Sequence, residues 1–254
     1  MLNQQIIVNN LRINYYRSED FSPNNNTFVF LHGWKSESLH LKTIFDNISN
    51  YLALDLPGFG GSALPKEVWG VGEYVIFLKN FLEKIGIKNP ILVGHSFGGA
   101  IIIKFLAIGN RAQKAILIDS AGIRKNGFKI QVYKIIAKIF KLPFFLPGLG
   151  IIKSKIRRGF YKLIDSEDYI GAGELTESYK KIIREDLRQE MQKINSPVYL
   201  IWGEDDKATE IKDAYLIKSF IKNSQLTIIK NAGHFPFLDC PKEFRSIFLD
   251  IVKD

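Results

Sequence analysis

Short apolar runs alternate along this chain with segments whose apolar residues recur at helical spacing. The runs cover residues 27–31, 51–55, 90–93, 114–119, 197–202 and 225–229. They lack the in-out alternation of a strand with one wet face, and so predict strands covered on both faces. Between them, Tyr74, Phe77, Leu78, Phe81, Leu82 and Ile85 share one helix face, and Gly86 is a stop signal. Further helices are predicted over 36–48, 97–108, 210–220 and 243–252. Near the start, two β-rich runs flank Asn9-Asn10, residues that accept positive φ, which predicts a hairpin. Strand–helix alternation of this kind implies a doubly wound, mostly parallel α/β sheet.

The rhythm breaks after Asp119. From Gly122 to Glu185 no strand-like run occurs, and prolines and glycines interrupt short helical pieces. The expected organisation is a core of residues 1–121 and 186–254 with a helical cap inserted at 122–185.

In a sheet of this type, binding and chemistry gather at the carboxyl ends of the strands. The polar residues there are His32, Asp55, Ser96, Asp119, the Glu204-Asp205-Asp206 cluster and His234. Ser96 sits in Gly94-His95-Ser96-Phe97-Gly98, between an apolar strand and a long apolar helix. That is G-x-S-x-G in a strand–turn–helix context, which presents a serine hydroxyl above the sheet. Glycine-rich turns of this shape also bind phosphate, so the pentapeptide alone leaves two readings. Side chains at Gly94 and Gly98 would collide with the close strand–helix crossing. The amide of Phe97, at a helix N-terminus, is aimed where an oxyanion would form.

A serine needs a base, and the base needs an acid to orient it. Of the four histidines, His40 lies in a predicted helix and His95 adjoins Ser96 too closely to fold back on it. His32 directly precedes Gly33 at a strand end. His234, in the loop after the last strand, is the candidate base. Asp206 is the favoured acid, because three residues after Gly203 the loop has turned back toward the sheet; Asp205 and Asp119 are its rivals. The order serine, acid, base, each after its own strand, is the order this architecture uses.

With these residues in place, the chain resembles the α/β-hydrolase superfamily, in its esterase-like branch with a helical cap. The resemblance rests on His32-Gly33-Trp34, Asp55-Leu56-Pro57-Gly58-Phe59-Gly60-Gly61-Ser62, Gly94-His95-Ser96-Phe97-Gly98-Gly99, Trp202-Gly203-Glu204-Asp205-Asp206 and Gly233-His234-Phe235-Pro236. It implies Ser96 as nucleophile, Asp206 as acid, His234 as base, and an oxyanion hole from the amides of Trp34 and Phe97. The Trp34 indole would wall the acyl pocket. The family often carries a proline after the acid; this chain reads Lys207-Ala208-Thr209. A serine at the elbow argues against epoxide hydrolases and haloalkane dehalogenases, which resemble this pattern but carry an aspartate there.

The expected activity is hydrolysis of carboxylic esters through an acyl-enzyme, on an uncharged apolar substrate. A C–C bond hydrolase of the same fold, a thioesterase or amidase, and a non-catalytic ligand-binding protein are the alternatives. No metal-ligand cluster or nucleotide fingerprint is visible, so neither metal nor cofactor is expected.

Charge adds one further expectation. The net charge is +9, and residues 120–164 carry eleven Lys or Arg and no acid. Within them Val132, Ile135, Ile136, Ile139 and Phe140 have helical spacing, with Lys134, Lys138 and Lys141 on other faces. Three readings follow: a solvated cap, peripheral contact with an anionic membrane, or attraction of acidic substrates. Nucleic acid is not an expected partner, because no base-reading motif occurs. No signal peptide is expected from the first residues, no stretch is long and apolar enough to span a bilayer, and Cys240 is the only cysteine. These features suit a cytoplasmic protein. The sequence carries no signature of oligomeric state.

Overall fold

A computed structural model describes residues 1–23, 26–46, 48–124 and 173–253. Eight strands form one sheet in the order β1-β2-β4-β3-β5-β6-β7-β8. They are β1 Leu2–Val8, β2 Leu11–Arg17, β3 Phe28–Leu31, β4 Tyr51–Leu54, β5 Ile91–His95, β6 Lys114–Ile118, β7 Val198–Gly203 and β8 Ser224–Ile229. The β1–β2 and β2–β4 pairs are antiparallel and every later pair is parallel. Asn9 and Asn10 turn the first hairpin with φ of 50° and 61°, which their short polar side chains tolerate.

The core explains why the central strands are apolar throughout. On one face, Val29, Leu31, Leu52, Leu92 and Leu117 pack against α2 (Val71–Ile85) and α3 (Phe97–Ala107). On the other, Phe28, Phe30, Ile91, Val93 and Ile116 pack against Phe45, Phe244 and Phe248. Phe45 ends α1 (Lys42–Phe45). Each such side chain contributes about 1.5–3 kcal/mol by leaving water, so both layers are needed to hold the sheet. Gly86 closes α2 at φ 87°, its N–H bonding back to Leu82 and Glu83.

One predicted helix is corrected. Residues 36–48 form a short 3-10 turn, Ser38–Leu41, followed by the single-turn α1. The cause is Asp55, which accepts both the backbone N–H of Ser38 at 2.9 Å and its hydroxyl at 2.5 Å. That anchor fixes the turn from outside and overrides helical continuation.

Of the expected insertion at 122–185, residues 125–172 lie outside the described residues, as does nearly all of the basic segment. Its C-terminal part is described and docks on the core. In α4 (Thr176–Ile182), Ser178 Oγ accepts the Trp69 N–H at 2.9 Å. Glu185 accepts the Val71 N–H at 2.9 Å and pairs with Lys104 at 2.5 Å, placing a carboxylate at the N-terminus of α2. The remaining helices are α5 (Arg188–Met191), α6 (Ile211–Phe220), α7 (Pro236–Asp239) and α8 (Pro241–Lys253).

The chain leaves β3 toward β4 on one side and β5 toward β6 on the other. The carboxyl ends of β3 and β5 therefore flank the topological switch point, where open α/β sheets place their sites. Trp34 follows the first of these strands and Ser96 the second.

Candidate active site

Ser96 occupies the turn between β5 and α3 with φ 51° and ψ −112°, a conformation that costs a non-glycine residue about 1–3 kcal/mol. The turn is over-determined. Ser96 N–H donates to Ile118 O at 3.0 Å, and its carbonyl accepts from Gly99, Ala100 and Ala121. The glycines do what their spacing predicted. A Cβ at Gly98 would lie 2.2 Å from the Leu31 carbonyl oxygen, and one at Gly94 would lie 2.6 Å from Ile102 and 2.7 Å from Gly98. Strand and helix can cross this closely only without those side chains.

Gly33 packs on the same turn, its ideal Cβ position 3.2 Å from the Cβ of Ser96. The His-Gly-Trp segment therefore lies directly beside the serine. Among the described residues, neither the Trp34 nor the Phe97 amide meets an acceptor. The Trp34 ring meets Phe59 at 4.9 Å, Phe97 at 5.6 Å and Tyr179 of α4 at 5.2 Å between centroids. A cleft of about 370 Å³ opens at this wall, bordered by Trp34, Lys35, Ser36, His40, Phe59 and Leu175. The indole N–H is buried and has no acceptor among the described residues.

Asp206 and His234 are brought together. His234 Nδ1 lies 2.7 Å from Asp206 Oδ2. The loop after β7 holds the carboxylate from below: Oδ1 accepts the N–H groups of Ala208 at 2.7 Å and Thr209 at 3.0 Å, and Oδ2 accepts the Thr209 hydroxyl at 2.6 Å. These bonds form an Asx-type turn. Burial pushes the Asp206 carboxyl up, but the His234 ring and the Thr209 hydroxyl outweigh it and hold it down at about 2. Asp205 is exposed on the same turn, and His234 bonds to Asp206.

The loop of His234 is fixed to the elbow itself. His95 Nε2 donates to the His234 carbonyl at 2.7 Å, and the two rings lie 4.7 Å apart. Burial, reinforced by the neighbouring His234, lowers His95 to about 3, so its ring is neutral. His32 has a similar supporting role. Its Nδ1–H donates to Gly33 O at 2.7 Å and its Nε2 accepts the Leu56 N–H at 3.0 Å, fixing one tautomer. Burial lowers it to about 4. Asp55 completes the support, bridging Ser38, Asn14 and Gly61.

Asp119, Asp206 and His234 each offer an atom within 4.8 Å of the others, the donor count of a metal site. Asp206 accepts four hydrogen bonds, one of them from His234 Nδ1.

Sequence reasoning passed over the supporting residues His95 and Thr209. His95 adjoins Ser96 too closely to fold back on it, and its partner lies 139 residues away. Thr209 could have been found from the Asp-x-x-Thr spacing of an Asx turn.

Residues 28–247 match the model of the alpha/beta hydrolase family, and the chain belongs to that family. It is 26% identical over 259 residues to an uncharacterised hydrolase, YugF, of Bacillus subtilis, with 95% of each chain covered. It is 29% identical to the pimeloyl-[acyl-carrier protein] methyl ester esterase of Wigglesworthia glossinidia brevipalpis, covering 89% of this chain and 93% of that one. Among solved structures, a bacterial membrane phospholipase A superposes with a TM-score of 0.75 at 25% identity, covering 100% of this chain and 87% of that chain. The protein is a hydrolase of this fold.

Proposed function

We propose that this hydrolase cleaves carboxylic esters with Ser96 as nucleophile, His234 as general base and Asp206 as the orienting acid. The observation that carries this reading is the His234 Nδ1–Asp206 Oδ2 contact of 2.7 Å, on a loop tied to the serine elbow through His95. With Nδ1–H committed to Asp206, Nε2 is the lone pair free to take the Ser96 proton. Attack on the ester carbonyl gives a tetrahedral oxyanion, held by the amides of Trp34 and Phe97. The His234 imidazolium then protonates the leaving alcohol. Water repeats the cycle on the acyl-enzyme, with His234 as base again.

The aromatic wall of Trp34, Phe59, Phe97 and Tyr179 supports an uncharged, apolar acyl or alkyl group. The methyl ester esterase among the relatives supports ester chemistry. The basic run at 120–164 supports peripheral contact with an anionic membrane, where an apolar ester would be met.

A panel of p-nitrophenyl esters of increasing acyl length, run beside a vinylogous diketone substrate, tests the reading. Turnover of esters, abolished in Ser96→Ala, is the expected outcome. Cleavage of the diketone alone would replace it with C–C hydrolysis.

A further inference from the structure

The site holds one more carboxyl group than the triad uses. Asp119 follows β6 with φ 43° and is fully buried. Its Oδ1 accepts the Gly203 N–H at 2.9 Å. Its Oδ2 is buried and meets no donor among the described residues. An anionic oxygen left so would be strongly destabilising. Beside it stands Asp206, also buried; one oxygen of each and a ring nitrogen of His234 lie within 4.8 Å of one another.

Two carboxylates this close, away from water, do not both ionise. The hydrogen bonds decide which one keeps the charge. Asp206 accepts from His234 Nδ1, from the Thr209 hydroxyl and from two backbone N–H groups. Among the described residues the Asp119 carboxyl accepts only from the Gly203 N–H, the Thr209 hydroxyl meeting its backbone carbonyl instead. Donors stabilise the anion, so Asp206 is the carboxylate. The orphaned Oδ2 of Asp119 is then explained, because it carries a proton and needs an acceptor.

We propose that Asp119 is a positioning residue, a neutral carboxylic acid that donates a hydrogen bond to the Asp206 carboxylate so that the pair presents a single negative charge to His234. This rests on the reading of Asp206 and His234 as acid and base. Burial first, and then the Asp206 charge, push the Asp119 carboxyl well above the usual range, while the Gly203 N–H opposes them. The other titratable groups facing the pair are His234, the neutral His95 on β5 and Asp239 on α7. Asp239 adds negative charge and further favours the protonated form. The donated hydrogen bond fixes the Asp206 carboxyl from the β6 side, as Thr209 does from its own loop.

The test is NMR on the resting full-length protein. In ¹³C-carboxyl spectra, assigned with Asp119→Asn, the Asp119 signal should be that of a neutral acid at neutral pH, where an ordinary aspartate is ionised. In imidazole spectra, Asp119→Asn should leave the His234 titration midpoint in place, since an amide N–H donates as the acid does. Asp119→Leu should raise that midpoint by roughly half to one pH unit, since Asp206 loses a donor. A role in folding alone would leave the midpoint unmoved in both variants and overturns the proposal. So does an ionised Asp119 signal at neutral pH, or a fall of roughly one pH unit in the Asp119→Asn midpoint, the mark of a removed negative charge. If Asp119→Leu fails to fold, the wild-type carboxyl signal and Asp119→Asn decide alone. Neither readout needs turnover, so a protein that hydrolyses no ester can still pass, and an active esterase can still fail.

Discussion

His95 Nε2 lies 2.7 Å from the backbone oxygen of His234, so the residue before the elbow serine holds the His234 loop. The proposed nucleophile and base are thereby positioned by one turn. His95→Phe keeps a flat ring against Phe235 and Phe237 but removes the donor. The expected result is a fall in kcat of roughly 10- to 100-fold, the scale of a sub-ångström misplacement, with KM changed little. Steady-state kinetics on a soluble p-nitrophenyl ester check this.

The same buried histidines set an acid limit on stability. His32 and His95 are held at about 4 and about 3, below the ordinary value near 6.5. Between those values the unfolded chain binds protons that the native state refuses. Their contribution is therefore complete above about pH 6.5 and is lost as pH falls toward the native values. Each adds a slope of about 1.4 kcal/mol per pH unit in that window. Urea denaturation at several values between about pH 7.5 and pH 4.5 should show a falling midpoint, and His32→Gln should flatten the fall.

Gly98 gives a steric test of the elbow. The 2.2 Å between a Cβ there and the Leu31 carbonyl involves backbone on both sides, so no side-chain rotation relieves it. Gly98→Ala should cost about 1–3 kcal/mol or more in stability and displace the serine as well. Thermal unfolding monitored by circular dichroism reads the first effect. Wild-type stability in Gly98→Ala would mean that strand and helix cross less closely than described.

The frame was legible because each level repeated it. Both faces of the sheet are covered, so residues such as Phe28–Leu31 had to be apolar throughout, and Gly86 marked the end of α2. The candidate serine, acid and base were legible because the fold brings strand ends together and few polar residues stand there. What escaped were contacts with no local signature. The break in the helix predicted over 36–48 is caused by Asp55, 17 residues from Ser38. The anchor of Asp119 at Gly203 spans 84 residues. Asp119 stood out as a rival acid because it ends a strand, and the structure instead sets it beside Asp206, each acting on the other. Such relationships follow from packing, which periodicity does not encode.

The basic segment yields a prediction about location. Lys134→Gln, Lys138→Gln and Lys141→Gln combined should weaken binding to anionic vesicles, by about 1 kcal/mol per lysine near the surface, and leave turnover of a soluble ester intact. Sedimentation with phosphatidylserine vesicles measures the first and a p-nitrophenyl ester the second. Loss of turnover with vesicle binding unchanged would place these lysines in substrate handling instead.

The central claim is that Ser96 is a nucleophile activated by His234. Labelling with a fluorophosphonate, followed by peptide mass spectrometry, tests it most directly. A covalent adduct on Ser96 is expected in the wild type, none in Ser96→Ala, and labelling slowed by at least about 10²-fold in His234→Ala. A folded wild-type protein that takes up no label, or takes it up on a residue other than Ser96, would contradict it.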